Sequence, residues 1–456
     1  MAKLFGTDGI RGRAGQFPLD AETVRMLGSS LTAHLRAKLD NHAPVIVIGR
    51  DTRESGPWLE QAFIAGATQA GGECKSAGVI TTPGVAFLAR ILPADAGVVI
   101  SASHNPYYDN GVKIFSPSGR KLEDAIERLL EADIFAGASQ PGKRHDFKAS
   151  SMNDDKQAVG LRARYLDYLA REIAHGLSLT GITMVIDCAN GAASQLAPEL
   201  FTRLGANVVA INNQPDGKNI NHDCGSLNIK GLQLKVIEQH ADLGVAFDGD
   251  ADRALFVDET GRFVDGDGAM WALATHLDQR GELRDGLVVG TVMSNIGLEI
   301  ALRDRGLRLM RTDVGDKYVL EELVRSRAAL GGEQSGHLIF PGLSLAGDGM
   351  ITTLCLLRAL RDQGKTMAQA TTGFTRYPQI LVNIPVTERK PFAEMQDVRT
   401  LAGEIEAKLS PQGRLLLRYS GTELLARVMI EGEHQSEIES YANSLAAAIK
   451  SAIGSL

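Results

Sequence analysis

Residues 97 to 111 have the sequence Gly-Val-Val-Ile-Ser-Ala-Ser-His-Asn-Pro-Tyr-Tyr-Asp-Asn-Gly. Small, polar and turn-forming residues follow an apolar run that is typical of a buried strand. Pro106 fixes its own φ and biases Asn105 away from helix, so the pattern predicts an irregular loop. Open α/β sheets place their chemistry where strands end, which makes Ser103 a candidate nucleophile or phosphate carrier. Taken alone, a Ser-His pair of this kind is more often part of an ordinary polar turn.

The chain on either side repeats this strand-and-loop pattern. Apolar strands are predicted at residues 44–49, 112–115, 182–187, 243–247 and 287–292, with helices between them. This alternation indicates βαβ units and an α/β fold, with three similar domains whose mixed sheets are mainly parallel. A C-terminal α+β domain follows them. The predicted domains are residues 1–150, 151–253, 254–370 and 371–456, with a polar linker at about 137–156.

Length, charge and cysteine content exclude several classes of protein. A chain of 456 residues is too long for one core, and its net charge of -7 argues against binding to nucleic acid. No run of about 18 apolar residues suggests a membrane span, and no apolar signal segment opens the chain. The four cysteines are scattered, so we expect neither disulfides nor zinc and predict a cytoplasmic protein.

The second informative stretch is Asp248-Gly-Asp250-Ala-Asp252-Arg253. Three carboxylates at alternate positions can converge on one hard cation. Glu259 falls at the twelfth position of an EF-hand loop, but Arg253 occupies the sixth, where that loop requires glycine. The flanks are also predicted strands rather than helices. Mg²⁺ is therefore the favoured cation, while a solvated turn remains the simpler interpretation of the motif by itself.

Two further loops carry polar groups between glycines or strands. Residues 331–337 offer Glu333, Ser335 and His337 to a polyhydroxylated ligand, although His337 alone could be an ordinary turn histidine. Residues 418–423 combine hydroxyls, backbone N–H groups and arginine as a phosphate clamp requires, or form a solvated hairpin tip. The chain has no Walker or dinucleotide-binding motif. A serine, a metal site, a polyol site and a phosphate clamp together predict phosphoryl transfer on a sugar phosphate.

These loops and the opening segment Gly6-Thr7-Asp8-Gly9-Ile10-Arg11-Gly12 resemble the α-D-phosphohexomutase superfamily along nearly the whole chain. The resemblance implies four domains around a central cleft, with Ser103 carried as phosphoserine. Ser103 would phosphorylate a hexosamine 6-phosphate, and the bisphosphorylated sugar would reorient and return the other phosphoryl group. One Mg²⁺ would be held by Asp248, Asp250, Asp252 and the phosphate on Ser103. The Tyr-Tyr-Asp-Asn-Gly sequence and Gln334 favour the glucosamine branch.

The resemblance also assigns roles to the remaining residues. The groups expected around the reacting phosphoryl group are Arg11, His104, Lys113 and Arg253, with Lys113 the candidate for proton transfer. The sugar hydroxyls are assigned to Glu333, Ser335 and His337. The non-reacting phosphate is assigned to Arg418, Ser420, Gly421, Thr422 and Arg427. The expected partner is a hexosamine phosphate, without nucleic acid or membrane, and a homodimer fits the family.

Some positions depart from the family pattern. Tyr419 and Leu424 stand where lysine and proline are usual in the family. This departure is expected to affect the rigidity of the phosphate loop and its affinity for substrate. Leu227 replaces a usual hydroxyl, and Ala251 replaces a common glycine, a mild change if its φ is negative. Two alternatives stay open at this point: a mutase acting on glucose or mannose phosphates, and a catalytically silent protein that binds phosphosugars.

Overall fold

The computed structural model describes residues 3–6, 8–39, 42–138, 156–420 and 424–453. The strands are β1 (Phe5–Gly6), β2 (Gly9–Arg13), β3 (Val45–Arg50), β4 (Glu73–Val79), β5 (Ala96–Ile100), β6 (Asp109–Phe115), β7 (Thr183–Asp187), β8 (Asn207–Ile211), β9 (Leu243–Phe247), β10 (Ala254–Asp258), β11 (Phe263–Val264), β12 (Leu287–Thr291), β13 (Arg308–Thr312), β14 (Leu330–Gly332), β15 (Leu338–Ile339), β16 (Gln379–Pro385), β17 (Arg414–Tyr419) and β18 (Leu425–Glu431). The helices are α1 (Ala21–Arg36), α2 (Gly56–Gln69), α3 (Thr82–Ile91), α4 (Asp124–Ala138), α5 (Lys156–Tyr168), α6 (Ala193–Arg203), α7 (Lys230–Glu238), α8 (Gly266–Gln279), α9 (Ile296–Asp304), α10 (Asp316–Ser326), α11 (Gly349–Gln363), α12 (Met367–Ala370), α13 (Gln396–Leu409) and α14 (Gln435–Ile453).

The chain forms two compact units. The first comprises residues 1–292 and 312–372, and the second comprises residues 293–311 and 373–456. The first unit contains the sheets that carry the serine, aspartate and histidine loops. The second contains the hairpin on which the predicted phosphate loop lies.

The sheet with the serine loop has the strand order β1-β2-β6-β5-β3-β4. Strand β3 runs parallel to β4 and β5, whereas β6 returns antiparallel to β5. Helices α1 and α2 pack closely because Gly28 and Gly66 lie at their contact. A Cβ at Gly66 would lie 1.9 Å from the carbonyl oxygen of Arg25, so only glycine allows this approach. Strand β5 is buried throughout, and residues 101–108 follow at its carboxyl end.

Strands of two more mixed sheets carry the other loops of the first unit. One has the order β11-β10-β9-β7-β8, with β7 parallel to β8 and β9. Strand β9 leads into Asp248, and β10 returns antiparallel from Ala254. In the other, β12 runs parallel to β14, which pairs antiparallel with β15. Residues 333–337 connect β14 to β15, so each candidate loop follows directly from a buried strand.

The second unit contains a three-stranded antiparallel sheet with the order β16-β18-β17. Helices α13 and α14 cover it, and their apolar residues share a core with the inward faces of the strands. The tip of the β17–β18 hairpin is the predicted phosphate loop. Of that loop, residues 421–423 lie outside the described residues.

The predicted fold class of α/β domains with mixed sheets and a different C-terminal domain is confirmed. The four domain boundaries remain predictions, and the linker at 137–156 falls almost wholly outside the described residues. Among the residues that the structure describes, no helix is both long and apolar enough to span a membrane.

Asp348 makes the stability of the first unit depend on pH. Its carboxylate caps α11, accepts N–H bonds from Met350 at 2.9 Å and Ile351 at 3.0 Å, and accepts the Tyr165 hydroxyl at 2.6 Å. Burial nevertheless raises the pKa of Asp348 from 3.8 to about 6. A raised pKa means that the folded state binds the proton more tightly than the unfolded state does. The contribution of the Asp348 carboxyl group to the free energy of unfolding is therefore fully present below about pH 4 and is lost as the pH rises through about 6.

We expect Asp348→Asn to stabilise the protein at pH 7.5 much more than at pH 4.5, by at most about 3 kcal/mol. Asparagine caps a helix as well as aspartate does, and its amide can donate to the Tyr165 oxygen without a charge. The measurement is the urea unfolding midpoint at both pH values. Asp20→Asn, at the half-exposed cap of α1, is the matched control for a lost capping carboxylate. An equal change for Asp348→Asn at both pH values would contradict the expectation.

Candidate functional site

Ser103 lies buried in the loop after β5, with 1% of its surface exposed. Its Oγ donates to Asp248 Oδ2 at 2.5 Å and lies 3.3 Å from His104 Nδ1. Its backbone N–H donates to Ser101 Oγ at 2.9 Å. Its φ of 52° is in the left-handed region, which costs a non-glycine residue about 1–3 kcal/mol and persists only where the surroundings fix it. The Ser103 hydroxyl is therefore held against a carboxylate that follows β9.

Asp248, Asp250 and Asp252 form a buried cluster in which one carboxylate oxygen from each residue lies within 4.8 Å of the other two. Burial, followed by the charges of Asp252 and Asp250, raises the pKa of Asp248 well above its ordinary value. Asp250 Oδ1 is buried and has no hydrogen-bond partner among the described residues. Mutually repelling oxygens with an unused acceptor are the donor set that a hard cation requires, so the cluster fits a metal site. The flanking strands β9 and β10 also rule out an EF-hand.

Ala251 corrects one expectation from the sequence. Its φ is 55°, so the condition under which replacing glycine would be mild is not met. The side chain is completely buried between the aspartates, where the left-handed conformation costs an alanine about 1 kcal/mol. The reason is the tightness of the turn: the Ala251 N–H donates to the Asp248 carbonyl at 3.0 Å, and its carbonyl accepts from Gly349 at 3.0 Å.

Lys113, on β6, is buried beside the aspartate cluster. Its Nζ lies 2.8 Å from Asp250, 3.0 Å from Asp8 and 3.5 Å from Asp252. Burial alone would lower the pKa of Lys113, but the charges of these carboxylates raise it well above the ordinary value. The ammonium group is therefore held in its charged form and neutralises part of the cluster.

This cluster continues into a closed ring of alternating charge. Lys121 Nζ lies 2.6 Å from both Asp8 and Asp316, and His337 lies 3.8 Å from Asp316 and 3.6 Å from Asp252. Although burial lowers the pKa of His337, Asp252 and Asp316 raise it to about 9. The ring runs in the order Asp8, Lys121, Asp316, His337, Asp252, Lys113 and back to Asp8. It links the serine sheet, the aspartate loop and the histidine loop.

Three other predicted residues lie on a cleft of about 390 Å³ beside the ring. These are Arg11, His104 and Arg253. Arg11 pairs with Asp8, and the Nε atoms of Arg11 and Arg253 are buried without a hydrogen-bond partner in the described chain. Burial, then the charges of Arg253 and Arg11, lowers the pKa of His104 to about 4. The cleft thus presents two guanidinium groups and a neutral imidazole, a set suited to an anion.

The loop at 333–337 contributes Glu333 and His337 to the same cleft. Glu333 Oε1 accepts the Gly315 N–H at 3.0 Å, and the Glu333 and His337 backbones bond to each other at 3.0 Å. Ser335 is half-buried on the same loop. The structure therefore brings the residues predicted for the serine, metal and sugar sites together within the first unit.

The remaining predicted residues lie in the second unit. Arg418 and Arg427 pair directly across β17 and β18, and an Nη of Arg427 lies 3.4 Å from Ser420 Oγ. Gly421 and Thr422 lie outside the described residues. Tyr419 stacks on Phe392 at 4.5 Å between ring centroids, and its hydroxyl donates to the Lys390 carbonyl. The departure from the family at Tyr419 therefore adds a packing contact at the base of the loop.

Sequence reasoning missed several residues of the site. Asp8 stands in the opening motif without an assigned role, and neither Lys121 nor Asp316 was given one. Thr82 was also missed, although its hydroxyl donates to Asp250 Oδ2 and its N–H donates to the Asp250 carbonyl at 3.0 Å. These residues act through contacts between distant segments, and such contacts leave no local spacing to find.

Three mixed α/β sheets with a serine loop, an aspartate loop and a histidine loop define a class of phosphoryl-transfer enzyme. The chain belongs to the phosphoglucomutase/phosphomannomutase family, whose models match it as α/β/α domains I, II and III and as the C-terminal domain. The matched residues are 2–141, 163–261, 265–377 and 381–448. The resemblance to phosphohexomutases is confirmed, and with it an isomerase that transfers phosphate within a sugar.

Curated relatives of nearly the same length indicate which enzyme of this family the chain is similar to. The chain is 48% identical to the phosphoglucosamine mutase of Solibacter usitatus over 455 residues, covering 100% of both chains. It is 44% identical to that of Mesorhizobium japonicum, covering 97% of this chain and 96% of the relative. It is 43% identical to that of Aliivibrio fischeri, covering 98% of each.

Solved structures show the same fold. A phosphoglucomutase/phosphomannomutase family protein from Burkholderia thailandensis has a TM-score of 0.78 at 24% identity, over 99% of this chain and 97% of that one. The N-acetylphosphoglucosamine mutase of Aspergillus fumigatus, solved with GlcNAc-6P and magnesium, has a TM-score of 0.65 at 18% identity, over 98% and 96%.

Proposed function

We propose that this protein interconverts glucosamine 6-phosphate and glucosamine 1-phosphate through a phosphoserine at Ser103 and a bisphosphorylated sugar. One observation carries the proposal: the Ser103 hydroxyl lies 2.5 Å from a carboxylate of a buried three-aspartate cluster. A serine held there places a phosphate directly at a candidate cation site. The names of the full-length relatives support the amino sugar as substrate. The product would serve amino-sugar nucleotide and cell-wall precursor synthesis.

The cofactor in this proposal is one Mg²⁺, held by Asp248, Asp250, Asp252 and the phosphate on Ser103. The unused Asp250 Oδ1 supports this assignment. When bound, Mg²⁺ supplies positive charge that stabilises the phosphoryl group during transfer. Phosphorylation adds about -1.5 to -2 charges beside three carboxylates, so a cation is needed for the phosphoserine to be stable there.

In the transfer step, the bond from phosphorus to Ser103 Oγ breaks and a bond from phosphorus to a sugar hydroxyl oxygen forms. Lys113 is the proposed relay: its charged ammonium gives a proton to the departing Ser103 Oγ, and the resulting amine takes the proton of the sugar hydroxyl, so that Lys113 ends charged again. Arg11, His104 and Arg253 hold the oxygens of the phosphoryl group, for which the donors along the cleft are suited. The same residues serve the return step, after the bisphosphorylated sugar has turned.

The remaining assignments concern substrate binding, partners and location in the cell. The sugar hydroxyls are bound by Glu333, Ser335 and His337, and the non-reacting phosphate by Arg418, Ser420, Gly421, Thr422 and Arg427. The net charge of -7 supports a protein that binds no nucleic acid. We further propose a cytoplasmic protein that is not bound to a membrane and forms a homodimer.

The test is kcat/KM for glucosamine 6-phosphate, glucose 1-phosphate and mannose 1-phosphate, each with Mg²⁺. We expect a preference for the amino sugar of at least about 10-fold, because a protonated amine offers a positive charge and three N–H donors, whereas a hydroxyl is neutral and offers one donor. Preference for a 2-hydroxyl sugar would keep the mechanism and overturn the substrate. Absence of turnover with all three, with Ser103 phosphorylated, would favour a protein that only binds phosphosugars.

A further inference from the structure

Arg53 is a fully buried arginine in the loop after β3, and the reaction scheme above gives it no role. Its five N–H donors all find acceptors. Nε donates to Asp51 Oδ2 at 2.8 Å. The two Nη atoms donate to backbone carbonyl oxygens of one other segment, at 2.9 Å for Ser103, 2.8 Å for Asn105, 3.0 Å for Asp109, and at close range for Pro106.

These four carbonyls span the whole loop that carries Ser103. A planar guanidinium presents its donors in a fixed fork, so four simultaneous bonds define the positions of the carbonyls relative to one another. The carbonyl oxygens bonded to Arg53 also cannot turn toward an anionic phosphate, which they would repel. Arg53 therefore fixes both the path of the loop and the direction of its dipoles.

Two neighbouring side chains reinforce this arrangement. Asn221 Nδ2 donates to the Ser103 carbonyl at 2.9 Å and to the Asn105 carbonyl at 3.2 Å. Asp51, the partner of Arg53, accepts the Ser101 hydroxyl at 2.7 Å. Ser103 has a φ of 52°, a conformation that an L residue keeps only when its surroundings impose it. The contacts of Arg53 and Asn221 on its carbonyl supply that constraint.

We propose that Arg53 is a positioning residue for phosphoryl transfer: its bonds to the 103–109 backbone set the orientation of Ser103 toward the aspartate cluster. The inference rests on the proposed function and adds to it a residue that touches neither the reacting phosphoryl group nor the sugar. Arg53 acts through the serine loop alone. Its loss should therefore slow the transfer step while leaving the sugar-binding groups in place.

The test compares Arg53→Lys with Asn221→Gly and with Arg358→Lys. Lysine keeps the charge but cannot reach four carbonyls, and glycine at 221 removes two of the same contacts while tolerating the observed φ of 58°. Arg358 is the matched control because one of its Nη atoms donates to two backbone carbonyls elsewhere, those of Ile173 and His175, both at 3.0 Å. The readouts are kcat and KM per phosphorylated enzyme, with phosphorylation measured by intact mass, and hydrogen exchange of residues 101–111.

We expect Arg53→Lys to lower kcat about 10- to 100-fold, because small misplacements of a reacting group have effects of this size. KM should stay within about 2-fold, since uniform binding is retained. Exchange at 101–111 should accelerate in Arg53→Lys and, less strongly, in Asn221→Gly. Arg358→Lys should leave kcat and that exchange unchanged. An unchanged kcat in Arg53→Lys, or an equal loss in Arg358→Lys, would overturn the proposal.

Failure of the proposed function gives a different result. If the wild-type protein converts none of the sugar phosphates, that function is wrong, and exchange decides whether Arg53 orders the loop. Unchanged exchange at 101–111 in both Arg53→Lys and Asn221→Gly would then overturn the positioning role as well.

Discussion

Replacing Ser103 by alanine is expected to lower kcat by about 10⁴-fold or more, because removing the group that carries a covalent intermediate removes the whole reaction path. The variant should remain folded, since Ser103 Oγ bonds only to side chains among the described residues and the loop is held by Ser101, Arg53 and Asn221. Its intact mass should lack the phosphoryl group that we propose for Ser103 of the active wild-type enzyme. Turnover of glucosamine 6-phosphate and intact mass are the measurements.

Ser116→Ala is the control for this substitution. Ser116 follows β6, and its hydroxyl contacts Ser118 Oγ at 2.8 Å rather than the aspartate cluster. This variant should keep wild-type turnover and remain phosphorylated. Activity of Ser103→Ala within about 10-fold of wild type would show that another group carries the phosphate, and would contradict the mechanism.

Asp248→Asn is expected to have opposite effects on the metal-free and the metal-bound protein. Without metal, removing one of three repelling buried carboxylates should stabilise the fold by about 1–3 kcal/mol. In the wild type, Mg²⁺ at 100 times its Kd should add about 2.7 kcal/mol, and this gain should disappear in the variant. The measurement is thermal unfolding over a titration of MgCl₂, with EDTA as the metal-free reference.

Asp187→Asn is the matched control for a buried aspartate outside the cluster. Asp187 ends β7 in the same sheet, and its two oxygens accept N–H bonds from Ala189 and Gly225, both at 2.9 Å. An amide can replace only one of these acceptors, so the variant should be less stable, yet it should keep the gain from Mg²⁺. If Mg²⁺ stabilised Asp248→Asn as much as it stabilises the wild type, the aspartate cluster would be ruled out as the metal site.

Much of the fold and of the site could be predicted from the sequence. Strands β3, β5, β7 and β9 are short, mostly apolar runs with polar residues at or directly after their carboxyl ends. The apolar runs follow from burial on both faces of a sheet. The chemistry follows directly after such strands, as with Ser103 after β5 and Asp248 after β9. The phosphate loop, whose central residues the structure does not describe, is known from its sequence alone.

Tertiary structure alone decided which distant groups meet. Ser103 and Asp248 lie 145 residues apart, and Lys121 and Asp316 lie 195 apart. Asp8 and Lys121 could not be assigned because a single charge in a sequence has many possible partners, and packing selects one of them.

The backbone conformations of the site were likewise fixed by the fold. The sequence left open the sign of φ at Ala251, and nothing in it indicated that Arg53 bonds to the backbone of the serine loop. A residue adopts φ near 55° only when surrounding contacts outweigh the cost of its Cβ, and those contacts come from other segments of the chain. The sequence by itself therefore determined which residues can do the chemistry. The tertiary structure determined their orientation and their charge environment, because both depend on contacts between segments far apart in the chain.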